Sequence, residues 1–379
     1  MKRITRLLAS WFIFLSAISY AQIDKIVIPA GTPEDLTLTE IGKEQDGQKR
    51  TSMYQDFLQK FSSNPAAVAY GNWQLAQTYQ NSGDLAKALE YGDKAVAGSP
   101  HNLDILVSQA SIAQQMKNDA KIVEYSTRGG EAYNSIAKQT RPEGMSDQDF
   151  AARVAEDRNS AKNGYDFLEA AGFNAIADEK DPKARMSYIE RYTAAYPESK
   201  YADQVAQYAM YTLGPGQLND PARLVKFGDK ALASNPNSIP ALLLLSNFYV
   251  DDTKPGSITK AASYAQKVIE LAKADAPDAD KSRKLSSGVA HSTLGYALMK
   301  QDKTAAAIPQ FKSALELLKG QDDTAYAAAL YRLGYAYAKT NKVSDARDVL
   351  EQAVKIEGPV QQPAQELLTK VNAARAKAK

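Results

Sequence analysis

The residue types that most often carry enzymatic chemistry are scarce in this sequence. The chain has 379 residues, no cysteine and two histidines, His101 and His291. Neither histidine stands in a metal-binding or nucleophile motif, and no phosphate-binding loop is present. Asp278 and Asp280 resemble the start of a calcium loop, but the glycine and the closing glutamate are missing. We therefore predict no catalytic residue, no cofactor, no metal ligand and no enzymatic activity; an envelope hydrolase is the least favoured alternative.

Tyrosine offers a different chemistry, which is adhesion to other molecules. The sequence contains 21 tyrosines, and a tyrosine side chain provides a large contact area and a hydroxyl at a low cost in entropy. The alternative is that most of these rings are packing residues. Which role each ring takes depends on the helix face that carries it.

The stretch Tyr326–Pro359 shows how such rings are positioned. Its apolar spacing predicts two short amphipathic helices separated by a turn. Small residues are expected where the two helices cross, because a larger side chain there would push them apart. The packing positions are Leu333, Gly334, Tyr337 and Ala346.

The same pattern occurs at least twice more. The copy immediately upstream has its packing positions at Leu294, Gly295, Ala307 and Phe311. A third copy near the N-terminus has them at Leu75, Ala76, Tyr79, Ala88 and Pro100. The interval between the small residue of the first helix and the alanine of the second is the same in all three copies.

This recurring pattern resembles the tetratricopeptide repeat. The resemblance implies an all-α, right-handed α-solenoid of about six to seven helical hairpins, some of them degenerate. It also implies a non-catalytic protein that binds other proteins or peptides in a concave groove lined by the first helix of each repeat. The positions that match are packing positions, so the resemblance specifies architecture more than function.

Residues on the groove edge of the first helices are the candidate binding residues. They are Tyr296, Tyr331, Arg332, Tyr335, Lys300, Lys339, Trp73 and Asn247. We expect the three tyrosines to form one strip with Arg332 at its rim. Members of the family that bind chaperone tails hold a terminal carboxylate with Lys and Asn residues, and here only Arg332 has a suitable head group, so no clamp of that kind is predicted.

The N-terminus has the pattern of a secretory signal peptide. Lys2, Arg3 and Arg6 precede an apolar run at positions 7–18, and cleavage is expected after Ala21. An uncleaved membrane anchor is the alternative. We expect an exported protein, periplasmic or secreted, with no lipid anchor because there is no cysteine. The net charge of +2 gives no sign of nucleic-acid binding.

Clusters of Pro, Gly and acidic residues divide the sequence into six predicted segments. After the signal peptide, Ile26, Val27 and Ile28 are expected to form a short extended piece, and a helix over 51–61 is expected to cover the first repeat. The segments are the signal peptide (1–21), an N-terminal segment with a lid helix (22–62), N-terminal repeats (63–140), degenerate hairpins (141–275), two well-formed repeats (276–360) and a capping helix (361–379).

The junction after position 195 adds a second resemblance. Tyr196, Pro197, Ser199, Tyr201 and Ala202 form a Y-P-x-S-x-Y-A pattern that resembles bacterial envelope repeat proteins, including the β-barrel assembly lipoprotein and the Tol-Pal-associated coordinator. The lipoprotein is anchored through a cysteine that this chain lacks. Together these features favour a scaffold or assembly adaptor of the cell envelope. The alternative is a module that binds cell-wall glycan with the same aromatic groove.

Overall fold

The computed structural model describes residues 24–377, with side chains described up to position 373. The expected signal peptide and its cleavage site at Ala21 lie outside the described residues. The described chain forms seventeen α-helices and no strand. Contacts divide it into two compact units, one of residues 24–178 with 194–197 and one of residues 179–193 with 198–377.

The first unit contains two helical hairpins preceded by a helical pair and followed by one long helix. In the N-terminal pair, Tyr54 and Phe57 of the second helix and Phe61, which follows it, form a buried cluster with Leu75 of the first hairpin. The helices of this unit are α1 (Pro33–Lys43), α2 (Gly47–Lys60), α3 (Pro65–Asn81), α4 (Leu85–Gly98), α5 (Leu103–Gln115), α6 (Asp119–Ile136) and α7 (Asp147–Asp178). The hairpins are α3/α4 and α5/α6.

The second unit contains four hairpins and a terminal helix. Its helices are α8 (Pro182–Ala195), whose last two residues belong to the first unit, α9 (Ala202–Leu213), α10 (Pro221–Ser234), α11 (Ile239–Asp251), α12 (Ser257–Ala272), α13 (Lys281–Lys300), α14 (Thr304–Leu318), α15 (Asp323–Lys339), α16 (Val343–Val354) and α17 (Gln361–Lys377). The hairpins are α9/α10, α11/α12, α13/α14 and α15/α16, and α17 packs on the last of them. The predicted all-α architecture of stacked helical hairpins is therefore confirmed.

Helix starts and hairpin turns follow local side-chain chemistry. The Asn64 side chain accepts hydrogen bonds from the N–H groups of Ala66 and Ala67, which caps α3 ahead of Pro65 at its first position. Gly83 has a φ of 82° in the turn of the first hairpin. Lys117, Asp302 and Asn341 also have positive φ in the corresponding turns of α5/α6, α13/α14 and α15/α16, so the same left-handed turn closes these four hairpins whether or not glycine is present.

The small residues of the repeats give space to large neighbours on the second helix. A Cβ at Gly334 would lie 2.6 Å from Cγ of Leu350, and a Cβ at Gly295 would lie 2.7 Å from the Phe311 ring. The sequence pattern predicted that Gly334 and Ala346 lie together where the two helices of this hairpin cross. Ala346 is fully buried in the same cluster, but Leu350 is the side chain that occupies the space above Gly334.

The remaining predicted packing positions differ in burial. Fully or nearly fully buried positions are Leu75, Ala76, Ala88, Leu294, Ala307, Phe311, Leu333 and Tyr337. Tyr79 is only half-buried, and its ring stacks on Tyr91 with centroids 5.3 Å apart. Pro100 is half-buried in the turn between α4 and α5.

The tyrosine of the Y-P-x-S-x-Y-A junction is a core residue of the first unit. Tyr196 is buried, and its hydroxyl donates to the backbone carbonyl of Ser126 at 2.7 Å. Packing of this ring accounts for the large residue at that position without any role in binding.

Candidate binding surface on the first helices

The first helices of three consecutive hairpins in the second unit, α11, α13 and α15, are in contact. Polar side chains connect each helix to the next. Between α11 and α13, the Thr293 hydroxyl donates to the side-chain oxygen of Asn247, and Lys300 Nζ donates to the backbone carbonyl of Val250 at 2.8 Å. Lys300 also forms an ion pair with Asp251 at 2.8 Å. Asn247 and Lys300 thus join neighbouring repeats.

The next pair of first helices is connected in the same way. Arg332 on α15 donates from Nη1 to the Ser292 hydroxyl on α13 at 2.9 Å. Lys339 forms an ion pair with Asp302 at 3.0 Å. The cations that the sequence placed around the tyrosines are therefore all engaged with groups of the preceding repeat.

Tyr296 lies between two of these cations. The Lys300 ammonium and the Arg332 guanidinium each lie 4.7 Å from the centre of its ring. Both distances fall within the range of cation–π attraction. The Tyr296 ring is consequently part of the connection between repeats and is only half-exposed.

The sequence suggested that Arg332 lies at the rim of the surface; the side chain is half-buried and reaches from α15 to α13. Burial of the guanidinium lowers the pKa of Arg332, while the Tyr296 ring and the charge of Asp251 act in the opposite direction. A buried guanidinium needs partners for its donors, and Ser292 and Tyr296 provide them here. The sequence prediction placed Arg332 on an edge of its own helix, and the contact with Ser292 on α13 is a feature that it did not include.

Tyr335 is the most exposed of the three predicted tyrosines. It is 47% exposed and one of the few large apolar side chains that reach the surface of the described chain. Tyr331, one turn earlier on α15, is half-buried and packs against the C-terminal core cluster. The three tyrosines of the predicted strip thus differ in exposure. Tyr296 contacts the neighbouring repeat, Tyr331 is half-buried and Tyr335 is exposed.

Trp73, the remaining predicted groove residue, is in the first unit. Its ring packs edge-on against Tyr70 with centroids 6.2 Å apart. Both aromatic side chains line a cleft of about 730 Å³. Buried polar atoms usually have hydrogen-bond partners, but the indole N–H of Trp73 is buried and has none.

The two histidines are in ordinary polar contacts. Nδ1 of His291 lies 2.7 Å from the side-chain oxygen of Gln310 in the facing helix. His101 lies near Asp24, with 3.5 Å between Nδ1 and a carboxylate oxygen. Within residues 24–377, no group of three or more His, Asp or Glu side chains is arranged to hold a metal ion, and no helix of that range is long and apolar enough to cross a membrane.

In each of the last two hairpins of the array, a glycine of the first helix packs against a large side chain of the second. Polar contacts connect successive first helices. These features define a helical-repeat protein. Residues 286–356, which contain most of α13 together with α14, α15 and α16, match the family model of the tetratricopeptide repeat. Repeats of this family generally mediate protein–protein interaction or the assembly of complexes. No curated protein matches the sequence.

Solved structures with weak similarity to the chain include the following three. The crystal structure of the P58(IPK) TPR domain is 13% identical, covers 92% of this chain and 99% of its own, and has a TM-score of 0.34. The APC/C hetero-tetramer Cut9–Hcn1 is 13% identical over 91% of each chain, with a TM-score of 0.27. Yeast Tom70 is 12% identical, covers 91% of this chain and 95% of its own, and has a TM-score of 0.22. These scores are too low to bear on function.

Proposed function

We propose that this protein is a non-catalytic scaffold that binds a partner protein or peptide with the exposed face of α15 around Tyr335. The observation that carries the proposal is a difference between neighbouring side chains on one surface. Tyr296, Arg332, Lys300 and Lys339 are engaged in contacts between repeats, whereas Tyr335 is 47% exposed. An exposed aromatic ring, next to side chains that already connect the repeats, is the kind of residue that contributes most of the binding energy of an interface.

Rigidity of the surrounding surface supports this role. A partner gains affinity when the residues it meets are already ordered, because less entropy is lost on binding. The Arg332 contact connects α15 to α13, and the Lys300 contact connects α13 to α11, next to the exposed ring. We therefore expect these cations to act by positioning the surface, with the direct contacts made by Tyr335 and the accessible part of Tyr331.

Capture of the partner by purified variants tests the proposal. Tyr335→Ala should leave the helical content and the melting temperature nearly unchanged and should weaken partner binding by about 2 kcal/mol or more. The matched control is Lys355→Ala with Glu357→Ala, two exposed positions just after α16. Full-strength capture by Tyr335→Ala, or binding of cell-wall glycan in place of protein, would contradict the proposal.

We further propose that the protein acts outside the cytoplasm, as an adaptor of a bacterial-type cell envelope. The support is the basic and apolar N-terminal pattern that ends at Ala21. Protein isolated from its native host should then begin at Gln22 when its N-terminus is sequenced. Recovery of a cytoplasmic chain that still begins at Met1 would contradict export.

A further inference from the structure

The segment before α1 has no regular secondary structure and lines the cleft of the first unit. We call residues 24–28 the strap. Ile26 and Ile28 are half-buried, whereas Val27 between them is 66% exposed. Alternation of this kind is typical of an extended chain lying on a surface. Asp24, Lys25, Ile26 and Val27 line the cleft together with Tyr70 and Trp73.

The strap is held by charge-assisted contacts at one end. The carboxylate of Asp24 accepts a hydrogen bond from the backbone N–H of His101 at 2.8 Å, and its backbone carbonyl accepts one from Nδ2 of Asn102 at 2.9 Å. Asn102 is also the N-cap of α5, because its Oδ1 accepts from the N–H of Ile105. An acidic side chain is therefore bound next to a helix N-terminus, where negative charge is favoured.

A second contact is electrostatic and exposed. Lys25 Nζ lies 3.3 Å from a carboxylate oxygen of Asp157 on α7, and the Lys25 side chain is largely in solvent. Beyond Lys25, residues 26–28 form no hydrogen bond with the rest of the described chain. Exposed ion pairs contribute little to stability, so the strap is fixed mainly at Asp24.

The strap leaves the cleft incompletely filled. A volume of about 730 Å³ remains between the strap, the aromatic pair and α7. The buried indole N–H of Trp73 has no acceptor there. The strap is followed by the turn at Pro29–Thr32, in which Gly31 has a φ of 78°. Pro29, Ala30 and Gly31 of this turn are exposed.

We propose that the strap is an internal, displaceable ligand, and that the cleft binds an extended peptide segment of another protein in its place. The segment has the chemistry of the strap itself, an acidic side chain followed by aliphatic side chains at every second position. The acidic group binds at the His101 N–H and the N-terminus of α5, and the aliphatic group that takes the place of Ile26 enters the cleft lined by Tyr70 and Trp73. This site lies in the first unit and does not depend on the surface around Tyr335.

Fluorescence of Trp73 gives a direct readout. The sequence has only two tryptophans, Trp11 and Trp73, so the full-length Trp11→Phe variant reports on the cleft alone. Adding Asp24→Ala and Ile26→Ser to this variant should release the strap. The release should at least double the quenching of Trp73 by acrylamide, while circular dichroism stays unchanged. Ala30→Ser is the control, because Ala30 is exposed and does not line the cleft, and it should leave quenching as it was.

The binding probe is a fluorescein-labelled synthetic peptide with the sequence of residues 22–30. It should bind the released variant at least tenfold more tightly than the Trp11→Phe parent. Replacing its aspartate by asparagine and its isoleucines by serine should abolish this gain, and Trp73→Ala in the protein should weaken binding. If the double substitution impairs folding, Asp24→Lys, which replaces the carboxylate bound by the His101 N–H with a positive charge, provides a second way to release the strap.

Two results would overturn the proposal. One is equal affinity of the peptide for the released variant and its parent. The other is unchanged quenching of Trp73 in both release variants, since the strap then does not cover the cleft. The outcome of partner capture by Tyr335→Ala has no bearing on these peptide-affinity and quenching measurements. The two proposals are therefore tested independently.

Discussion

The guanidinium carbon of Arg332 on α15 lies 4.7 Å from the centre of the Tyr296 ring on α13. The contact joins the first helices of two consecutive repeats, and the hydrogen bond from Arg332 to Ser292 reinforces it. In a repeat protein each unit is stabilised mainly by its neighbours. Arg332 therefore contributes to the interface between repeats before any partner is considered.

Replacing Arg332 by alanine should destabilise the C-terminal hairpins. Loss of the cation–π contact and the hydrogen bond should lower the free energy of unfolding by about 1–3 kcal/mol, measured by urea denaturation. The control is Lys339→Ala, which removes only the exposed ion pair with Asp302 and should cost less than about 1 kcal/mol. Equal effects of the two variants would show that the Arg332 contacts contribute no more than a surface charge.

Enlarging Gly334 should disrupt the last hairpin. Its Cβ would already lie 2.6 Å from Leu350, so Gly334→Leu should cost about 1–3 kcal/mol through overpacking. Leu333→Ala should cost about 2–5 kcal/mol because it leaves a cavity. Gly42→Ala is the control for adding a side chain, since nothing lies within 4 Å of the position where its Cβ would be.

Hydrogen exchange distinguishes local from global damage in the Gly334 variant. We expect faster exchange in α13–α17 and unchanged exchange in α3 and α4, because stability in a repeat array is mainly a nearest-neighbour property. Loosening spread evenly to α3 would contradict this expectation.

Gly92 and Gln109 should show strong energetic coupling. The Gln109 side chain is fully buried with both amide atoms unpaired, and it occupies the space beside Gly92. A Cβ at Gly92 would lie 1.7 Å from its Nε2. Gly92→Ala should therefore cost about 1–3 kcal/mol in the wild-type background. In the Gln109→Ala background the same change should cost at least about 1 kcal/mol less, and additive effects in thermal or urea unfolding would contradict the packing described here.

The stability of the first unit should depend on pH through Tyr125. Its hydroxyl donates to Asp93 at 2.5 Å, and burial together with this carboxylate raises the pKa of Tyr125 well above its usual value. Because the folded pKa exceeds the unfolded value of about 10, the contribution to stability is complete below about pH 10 and is lost as the pH rises further. Urea unfolding at pH 7–11 should show Tyr125→Phe as less stable at neutral pH, with the difference shrinking above about pH 10. A difference that stays constant over this range would contradict the assignment.

Local features of the fold could be predicted from sequence, whereas contacts between distant segments could not. The hairpin of α15 and α16 follows from the spacing around Gly334, because a period of 3.6 residues and a turn are local properties. The contact of Arg332 with Ser292 depends on α13, a separate helix. The strap is connected to His101 and Asp157 across 77 and 132 residues, and neither partner belongs to a recognisable motif.

Leu350 is an instructive intermediate case. The periodicity of α16 placed it on the buried face, but which residue of that face lies above Gly334 depends on the helix crossing. The structure assigns that space to Leu350 at 2.6 Å, one turn beyond the predicted Ala346.

The central claim, that the face around Tyr335 binds a partner protein, is most directly tested by site-specific photo-crosslinking in the native host. A photoreactive phenylalanine analogue at position 335 should give a discrete crosslinked product that contains a second protein. The same analogue at the exposed position 355 should give none. No product from position 335 with the protein folded and at its normal level, or an identical product from position 355, would contradict the claim.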